Sequence, residues 1–453
     1  MTNSTILPDF KLQQGTFFVQ VWGCQMNVYD GDRIRELLSS AGFVETSEVE
    51  NASIVVLVTC AVRAKAEDKV FNQIASWRHQ QKISKDTVIA LGGCVGSELA
   101  GEILKLDKSV NVIFGPRTIH RLPALISAYI QTHEPQVDVN ADAIDKFDYF
   151  PTSHAEGPSA FVTIMEGCSN KCTYCIVPYT RGDEQSRPVQ DIIDECVNFI
   201  SNGAIEIHLL GQNVNSYHGV MSDGTVCNFS TLLYEIAAIP GLKRLRFTTS
   251  NPMDFTDDII DAIKNLSVIS DQIHVPIQAG SDRILSLMHR RYTAEQYIEL
   301  TKKLRAARPT VHISSDFIVG FPGETAEDFE KTMEVVDKVK FDLSFSFVYS
   351  KRQGTPAALM EDEVTKEEKF NRLYRLQNRL EELALTYTQQ FVGTVQECIV
   401  EGISRKDDNE LKSRASSGRI VVFKGSEDLI GKMVKVKITK THAHTLKGEL
   451  IDD

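Results

Sequence analysis

The chain has 453 residues, a net charge of −12 and 42% hydrophobic residues. That length exceeds one ordinary core, so two or three domains are expected, and the acidic balance excludes nucleic-acid binding through bulk charge. The stretch MTNSTILPDFKLQQG has no signal-peptide layout and no apolar run approaches a membrane span, so the nine cysteines are expected in the reducing cytoplasm, where they fit metal binding better than a disulfide framework.

The first segment alternates short apolar strands with amphipathic helices. TFFVQVWG leads into DGDRIRELLSSAGF, where Asp30 is expected to cap a helix presenting Ile34, Leu37 and Leu38. ASIVVLVT leads into a helix with Val62, Ala66, Val70, Ile74 and Trp77 on one stripe, and DTVIALGG and VNVIFG follow as strands. Such alternation predicts a small parallel α/β sheet. A polar stretch with three prolines then reads as a linker.

The second segment repeats the alternation on a larger scale. FVTIME, IEIHLLG, LRFTTS, QIHVPIQ, HISSDFIVGF and LSFSFVYS are its candidate strands, which predicts a partial barrel of six parallel strands. GQN, SNP, AGS and GFPGE crowd the carboxyl ends of these strands, where ligands bind in such folds. A long helix with Phe370, Leu373, Leu376, Leu380 and Leu383 on one face closes the segment. The third segment changes to short alternating strands, GTVQECIVEGI, RIVVFK and KMVKVKITK, and predicts a small antiparallel barrel. In the last of these, Lys435 and Lys437 share the wet face, which suits either phosphate or solvent. The expected boundaries are 14–135, a linker over 136–157, then 158–384 and 385–453.

Cys168, Cys172 and Cys175 in CSNKCTYC form the sharpest local motif. Zinc asks for four ligands, and no fourth cysteine or histidine lies near. An iron–sulfur cluster held by three thiolates leaves one iron open to a small molecule. Cys24, Cys60 and Cys94 each follow a strand of the first segment, so a parallel sheet would bring them to one edge as a second three-ligand site. Gly23, Gly92 and Gly93 beside them would permit close approach of a bulky ligand, against the plain reading that buried cysteines are small hydrophobes. Cys196 falls on an apolar helix face and reads as packing, Cys227 and Cys398 lack the strand-end pattern, and GFPGE lacks the GK[ST] of a phosphate loop.

CSNKCTYC, followed by IVPYTRG and SRP, resembles the radical S-adenosylmethionine signature. Together with GCQMN, TCAVRAKAEDKVF, FGPRTIHRLP, GQNVNSY, VPIQAGSDRIL, DFIVGFPGET and YSKRQGTPAA, it resembles the methylthiotransferases over nearly the whole chain, and the third segment is similar to the TRAM domain. The resemblance implies two [4Fe–4S] clusters: one on Cys168, Cys172 and Cys175 that chelates and reductively cleaves S-adenosylmethionine to a 5′-deoxyadenosyl radical, and an auxiliary one on Cys24, Cys60 and Cys94 that carries the sulfur to be methylated and inserted. It implies as substrate the N6-isopentenyladenosine just 3′ of a tRNA anticodon. It also implies a monomer that works off the membrane with a reductant protein and a sulfur source. S-adenosylmethionine contacts are expected from Tyr174, Gln212, Ser250, Gln278 and Arg291, and RNA contacts from Arg181, Arg352, Lys435 and Lys437. No side-chain acid or base is expected, because an aromatic C–H gives such groups little leverage and the cofactor carries the chemistry. Related methylthiotransferases that act on threonylcarbamoyl-adenosine or on a ribosomal-protein aspartate are the near alternatives. A noncatalytic iron–sulfur or zinc RNA-binding protein is the distant one.

Overall fold

The computed structural model describes residues 15–60, 64–139, 145–152, 157–442 and 445–451. The N-terminal stretch 1–14, Val62 and part of the expected linker lie outside them, as does the side chain of Ala66. The described residues form two compact units, one drawn from Met1–Ser153, Glu166–Ser169 and Ile176–Gln185, the other from His154–Met165, Asn170–Cys175 and Ser186–Asp453. Among the described residues no helix is long and apolar enough to cross a membrane.

In the first unit the chain runs β1 (Thr16–Trp22), α1 (Gln25–Ser40), β2 (Val44–Glu45), β3 (Ile54–Thr59), α2 (Ala64–His79), β4 (Val88–Gly93), α3 (Cys94–Leu106), β5 (Val112–Phe114), α4 (Leu122–Thr132) and β6 (Gln136–Asp138). The strands form one parallel sheet in the order β2-β1-β3-β4-β5-β6. β3 and β4 are buried along their whole length, which is why IVVLVT and VIALGG read as unbroken apolar runs rather than alternating ones. Ile34, Leu37 and Leu38 of α1 pack on one face of the sheet and Val70, Ile74 and Trp77 of α2 on the other. Asp30 is not the helix cap. Cys24 occupies the cap position, and Asp30 lies inside α1 with its buried carboxylate between two cations. The expected linker contributes the edge strand β6 and a 3-10 turn, Asp145–Tyr149.

The chain continues through β7 (Ser159–Thr163), the two-residue strand β8 (Met165–Glu166), the short helix α5 (Val177–Arg181) and β9 (Gln185–Ser186). The second unit then adds α6 (Val189–Ser201), β10 (Glu206–Leu210), the hairpin of β11 (His218–Val220) and β12 (Val226–Asn228), α7 (Phe229–Ala237), β13 (Arg244–Phe247), α8 (Asp257–Asn265), β14 (Gln272–His274), α9 (Asp282–Leu287) and α10 (Ala294–Ala307). After them come β15 (His312–Ser314), β16 (Asp316–Val319), α11 (Ala326–Val339), β17 (Phe345–Val348) and α12 (Lys366–Gln390). The parallel pairs β7-β10-β13, β14-β15 and β16-β17, joined by the bridges Leu245–Ile269 and Gln278–Phe317, give the six strand positions of the expected partial barrel, with β15 and β16 sharing one. On α12 Leu376, Leu380 and Leu383 are buried, whereas Phe370 is 52% exposed.

The chain ends in a closed five-stranded barrel, β18 (Val395–Ser404), β19 (Asp407–Ala415), β20 (Ile420–Lys424), β21 (Met433–Thr441) and β22 (Thr445–Leu450). Closure removes the unpaired edges that short strands would otherwise expose. This barrel is bound to the amino-terminal ends of the larger barrel's strands. Arg419 forks onto Asp342 at 2.7 and 2.5 Å. Arg244 donates to the carbonyls of Arg414 and Glu397 at 2.9 and 3.0 Å, and Ser270 donates to the carbonyl of Ser416 at 2.5 Å.

Candidate functional site

β1, β3 and β4 are neighbours, and Trp22 pairs with Thr59, which pairs with Gly93. Cys24, Cys60 and Cys94 follow these three laterally paired residues, so strand spacing of about 4.8 Å sets them side by side along one sheet edge. Cys24 is the N-cap of α1 and Cys94 the first residue of α3, where helix N-termini favour a thiolate. The Cys60 side chain lowers the Cys24 thiol to about 6, against burial that raises it, and the Arg181 charge lowers it further. Although its surroundings are crowded, the Cys24 residue is exposed, whereas Cys60 and Cys94 are buried.

The glycines also let the protein's own strand ends pack closely. A Cβ on Gly23 would stand 2.5 Å from the Cys60 Cβ, and one on Gly93 would stand 2.5 Å from the Thr59 carbonyl oxygen. Both have positive φ, 131° and 82°. They let the strand ends close on one another, while Gly92 makes room for the ring of Phe114.

Behind α1 lies a buried charge quartet. Lys146 Nζ reaches Glu166 Oε1 at 2.6 Å and Asp30 Oδ1 at 3.4 Å, while Arg181 donates to Asp30 Oδ2 and Glu166 Oε1 at 2.8 Å each. All four side chains are at most 2% exposed. Burial opposes the charge of Arg181, but Asp30, Cys94, Glu166 and Cys24 outweigh it and hold the guanidinium protonated. Arg181 is therefore committed to two carboxylates, and the expectation that it meets RNA is corrected. Arg352, also expected at RNA, is buried as well. Lys435 and Lys437 are exposed on β21 while Val436 and Ile438 face the small barrel's core.

The CSNKCTYC loop is held at several points. The Cys168 N–H donates to the Gly182 carbonyl at 3.1 Å, the Thr173 N–H to Met288, and the Cys175 N–H to Cys172. Arg290, which sequence reasoning passed over for its neighbour, places Nη1 3.5 Å from Cys172 Sγ and donates to Tyr292 Oη and the Pro276 carbonyl at 2.8 Å each. Burial opposes its charge, but Tyr174, Tyr292 and Cys172 raise its pKa well above the usual value. Arg291 is exposed and donates to Asn170 at 3.1 Å. Nothing in HRRY distinguishes the two arginines; only the turn after α9 does. Burial raises the Tyr174 phenol well above its ordinary pKa, and its ring packs on the barrel core.

Two non-glycine residues with positive φ stand at strand ends of the barrel, Thr249 at 69° after β13 and Gln278 at 75° after β14. Thr249 is β-branched, so its conformation is a genuine strain of the kind that concentrates at functional sites. The adjacent Ser250 is buried with its hydroxyl unpartnered among the described residues, as is Asn213 Oδ1 after β10. Gln212 and Gln278 are half-buried there. The GFPGE loop is closed on itself: Glu324 accepts from the Gly320 N–H at 2.7 Å and from Arg372 at 2.8 Å.

Cys196 and Cys227 are buried and their thiols are pushed up, and burial pushes Cys398 to about 12. They are packing residues with little thiolate character. Among the described residues no three His, Cys, Asp or Glu side chains close around a single metal ion. A cluster takes each thiolate on a different iron, so it asks for a wider set.

The pattern of the Radical SAM superfamily matches residues 162–336, the TRAM domain matches 389–451, and the uncharacterized protein family UPF0004 matches 16–115. The fold is similar to TsrM, a radical S-adenosylmethionine methyltransferase from Kitasatospora setae, at 13% identity over 76% of this chain and 74% of that one, with a TM-score of 0.55. It is also similar to OxsB, a cobalamin-dependent S-adenosylmethionine radical enzyme, at 12% identity over 82% and 56%, with a TM-score of 0.51. The cysteine loop at the mouth of a partial barrel thus defines a radical S-adenosylmethionine enzyme, a class that uses a [4Fe–4S] cluster and S-adenosylmethionine. A tRNA-2-methylthio-N(6)-dimethylallyladenosine synthase of Haemophilus influenzae is 50% identical over 96% of this chain and 92% of its own length, and one of Photorhabdus laumondii is 48% identical over 96% and 91%. The chain belongs to the family of these synthases.

Proposed function

We propose that this chain converts N6-isopentenyladenosine (dimethylallyladenosine) beside a tRNA anticodon to its 2-methylthio derivative. The observation that carries the reading is the lateral register Trp22–Thr59–Gly93, which delivers three cysteines to one sheet edge in addition to those of CSNKCTYC. A radical enzyme that only cleaves S-adenosylmethionine needs one such trio.

Cys168, Cys172 and Cys175 would hold the cluster that binds S-adenosylmethionine, and Cys24, Cys60 and Cys94 the auxiliary one. When bound, these groups supply the electron, the hydrogen-abstracting radical and the sulfur. The chain's own residues bind and orient. Arg290 sets a fixed positive charge beside Cys172 and so offsets thiolate charge. Ser250 Oγ and Asn213 Oδ1 offer polar contacts at the strand ends, with Gln212, Gln278 and the backbone at Tyr174 around them. Arg291, being exposed, would contribute at the rim. Lys435 and Lys437 suit the phosphates of an RNA stem, and a base in a loop is splayed into a pocket at lower cost than one in a duplex.

The proposed division of labour is 14–135 for the auxiliary site, 158–384 for radical chemistry and 385–453 for RNA, with 136–157 between. A tRNA substrate places the enzyme in the cytoplasm, where it works as a monomer with a reductant protein and a sulfur source.

Anaerobic reconstitution should give about eight iron atoms per chain. With reductant and S-adenosylmethionine, tRNA carrying the isopentenyl group should gain a methylthio group by mass spectrometry of its nucleosides. Stoichiometric zinc in place of iron, or no gain on prenylated tRNA, would overturn the reading.

A further inference from the structure

The cysteines do not account for one buried polar side chain among them. Asn27 lies in the first turn of α1 and is 0% exposed. Its Oδ1 accepts from Cys24 Sγ at 3.1 Å, while its Nδ2 has no hydrogen-bond partner among the described residues. The amide is wedged between the residues that precede two of the cysteines: a Cβ on Gly93 would stand 3.0 Å from Nδ2, and one on Gly23 would stand 3.3 Å from Oδ1. The same Gly23 position abuts the Cys60 Cβ. The carboxamide thus touches Cys24 and lies against the two glycines that precede Cys24 and Cys94, one of which also abuts Cys60.

A buried N–H without an acceptor is costly, and an apolar side chain of the same shape would remove the cost. An acceptor in the working protein explains why a carboxamide stands here instead. The surroundings are rich in sulfur, and an anionic sulfur bound to iron accepts N–H donors readily; such donors orient the site and set its potential. Turning the amide over would also bring its N–H to Cys24 once that thiol has lost its proton, so either orientation directs a donor at sulfur.

We propose that Asn27 is a positioning residue that donates an N–H···S hydrogen bond to an anionic sulfur at the Cys24–Cys60–Cys94 site. This rests on the reading of that trio as the auxiliary cluster site. The sulfur is either part of the resting cluster or the cargo sulfur on its open iron, and the two sources are separable.

The test uses the full-length chain with Cys168→Ala, Cys172→Ala and Cys175→Ala, so that only the auxiliary cluster is reconstituted. Its midpoint potential is measured by EPR-monitored titration with and without added methanethiolate. A hydrogen bond to sulfur stabilises the more negative, reduced state. Asn27→Leu should therefore shift the potential to a more negative value, and Asn27→Asp, which adds a negative charge, should shift it further. A shift already present in the resting cluster identifies cluster or cysteine sulfur; one that needs methanethiolate identifies the cargo sulfur. Potentials equal to the parent's in both conditions, with iron retained, would overturn the proposal. If Asn27→Leu loses iron, Asn27→Asp decides by the same reading. Iron lost from both variants with the thermal transition unchanged supports the proposal, and iron lost with that transition collapsed overturns it in favour of a purely structural role. If the parent itself binds no cluster, the auxiliary-site reading fails first and takes this one with it.

Discussion

The two cysteine trios are built in opposite ways. Cys24, Cys60 and Cys94 are dozens of residues apart and are brought together by strand pairing, with Trp22, Thr59 and Gly93 in lateral register. Cys168, Cys172 and Cys175 occupy eight consecutive residues, and their loop is fixed by outside groups such as Met288 and Arg290. A sheet-borne site inherits the rigidity of a core that must form first. A loop-borne site takes its shape from its ligand and its neighbours.

That contrast can be broken most decisively at the cysteines. Cys24→Ala should still cleave S-adenosylmethionine to 5′-deoxyadenosine but insert no sulfur, whereas Cys172→Ala should lose both, as chromatography of the two products will show. Normal methylthio product from Cys24→Ala would sink the division of roles. Next in size is the quartet behind α1. Removing one member of a buried ion group strands its partners, so Lys146→Met or Glu166→Gln should lower stability by about 3–5 kcal/mol, read by chemical denaturation of the apoprotein.

The loop-borne site should be sensitive to its outside support. Arg290→Gln should cost about 10–100-fold in cluster retention or S-adenosylmethionine cleavage, the usual effect of losing a group that orients a metal ligand, while Arg291→Gln should cost little. Equal effects would remove the distinction drawn between them. The thiols give a smaller, pH-dependent contrast in the apoprotein. With Cys24 lowered to about 6, its alkylation by iodoacetamide should rise about tenfold from pH 5 to pH 7 as the thiolate forms. Cys196 and Cys398, both pushed up, should stay silent over that range. The smallest effect is expected on the small C-terminal barrel: Lys435→Ala or Lys437→Ala should each reduce the salt slope of tRNA binding by about one and leave S-adenosylmethionine cleavage unchanged.

What the sequence made legible follows from periodicity. Strand–helix alternation located β1, β3 and β4 and hence the convergence of their cysteines, because a parallel sheet leaves little freedom in where its strand ends fall. It could not reveal β19, whose DDNELKSRA carries almost no apolar signal and whose inward Ser413 is small and polar. Nor could it reveal the quartet, since a buried Asp30 looks like a solvated one until Lys146 and Arg181, more than a hundred residues away, are in place. Arg181 and Arg352 were expected at RNA for the same reason. Position along the chain gives an arginine its neighbours in sequence and says nothing of its depth.

The fork of Arg419 on Asp342 has a consequence for recognition. Asp342 also stands 2.7 Å from His312 Nδ1, and with Arg244 and Ser270 bonded across the same seam the small barrel is bolted to the floor of the large one. If its lysine-bearing strand meets tRNA as proposed, that strand stands at a constant reach from the larger barrel, and the choice of nucleotide would be in part a measurement of length, with the protein serving as a fixed ruler.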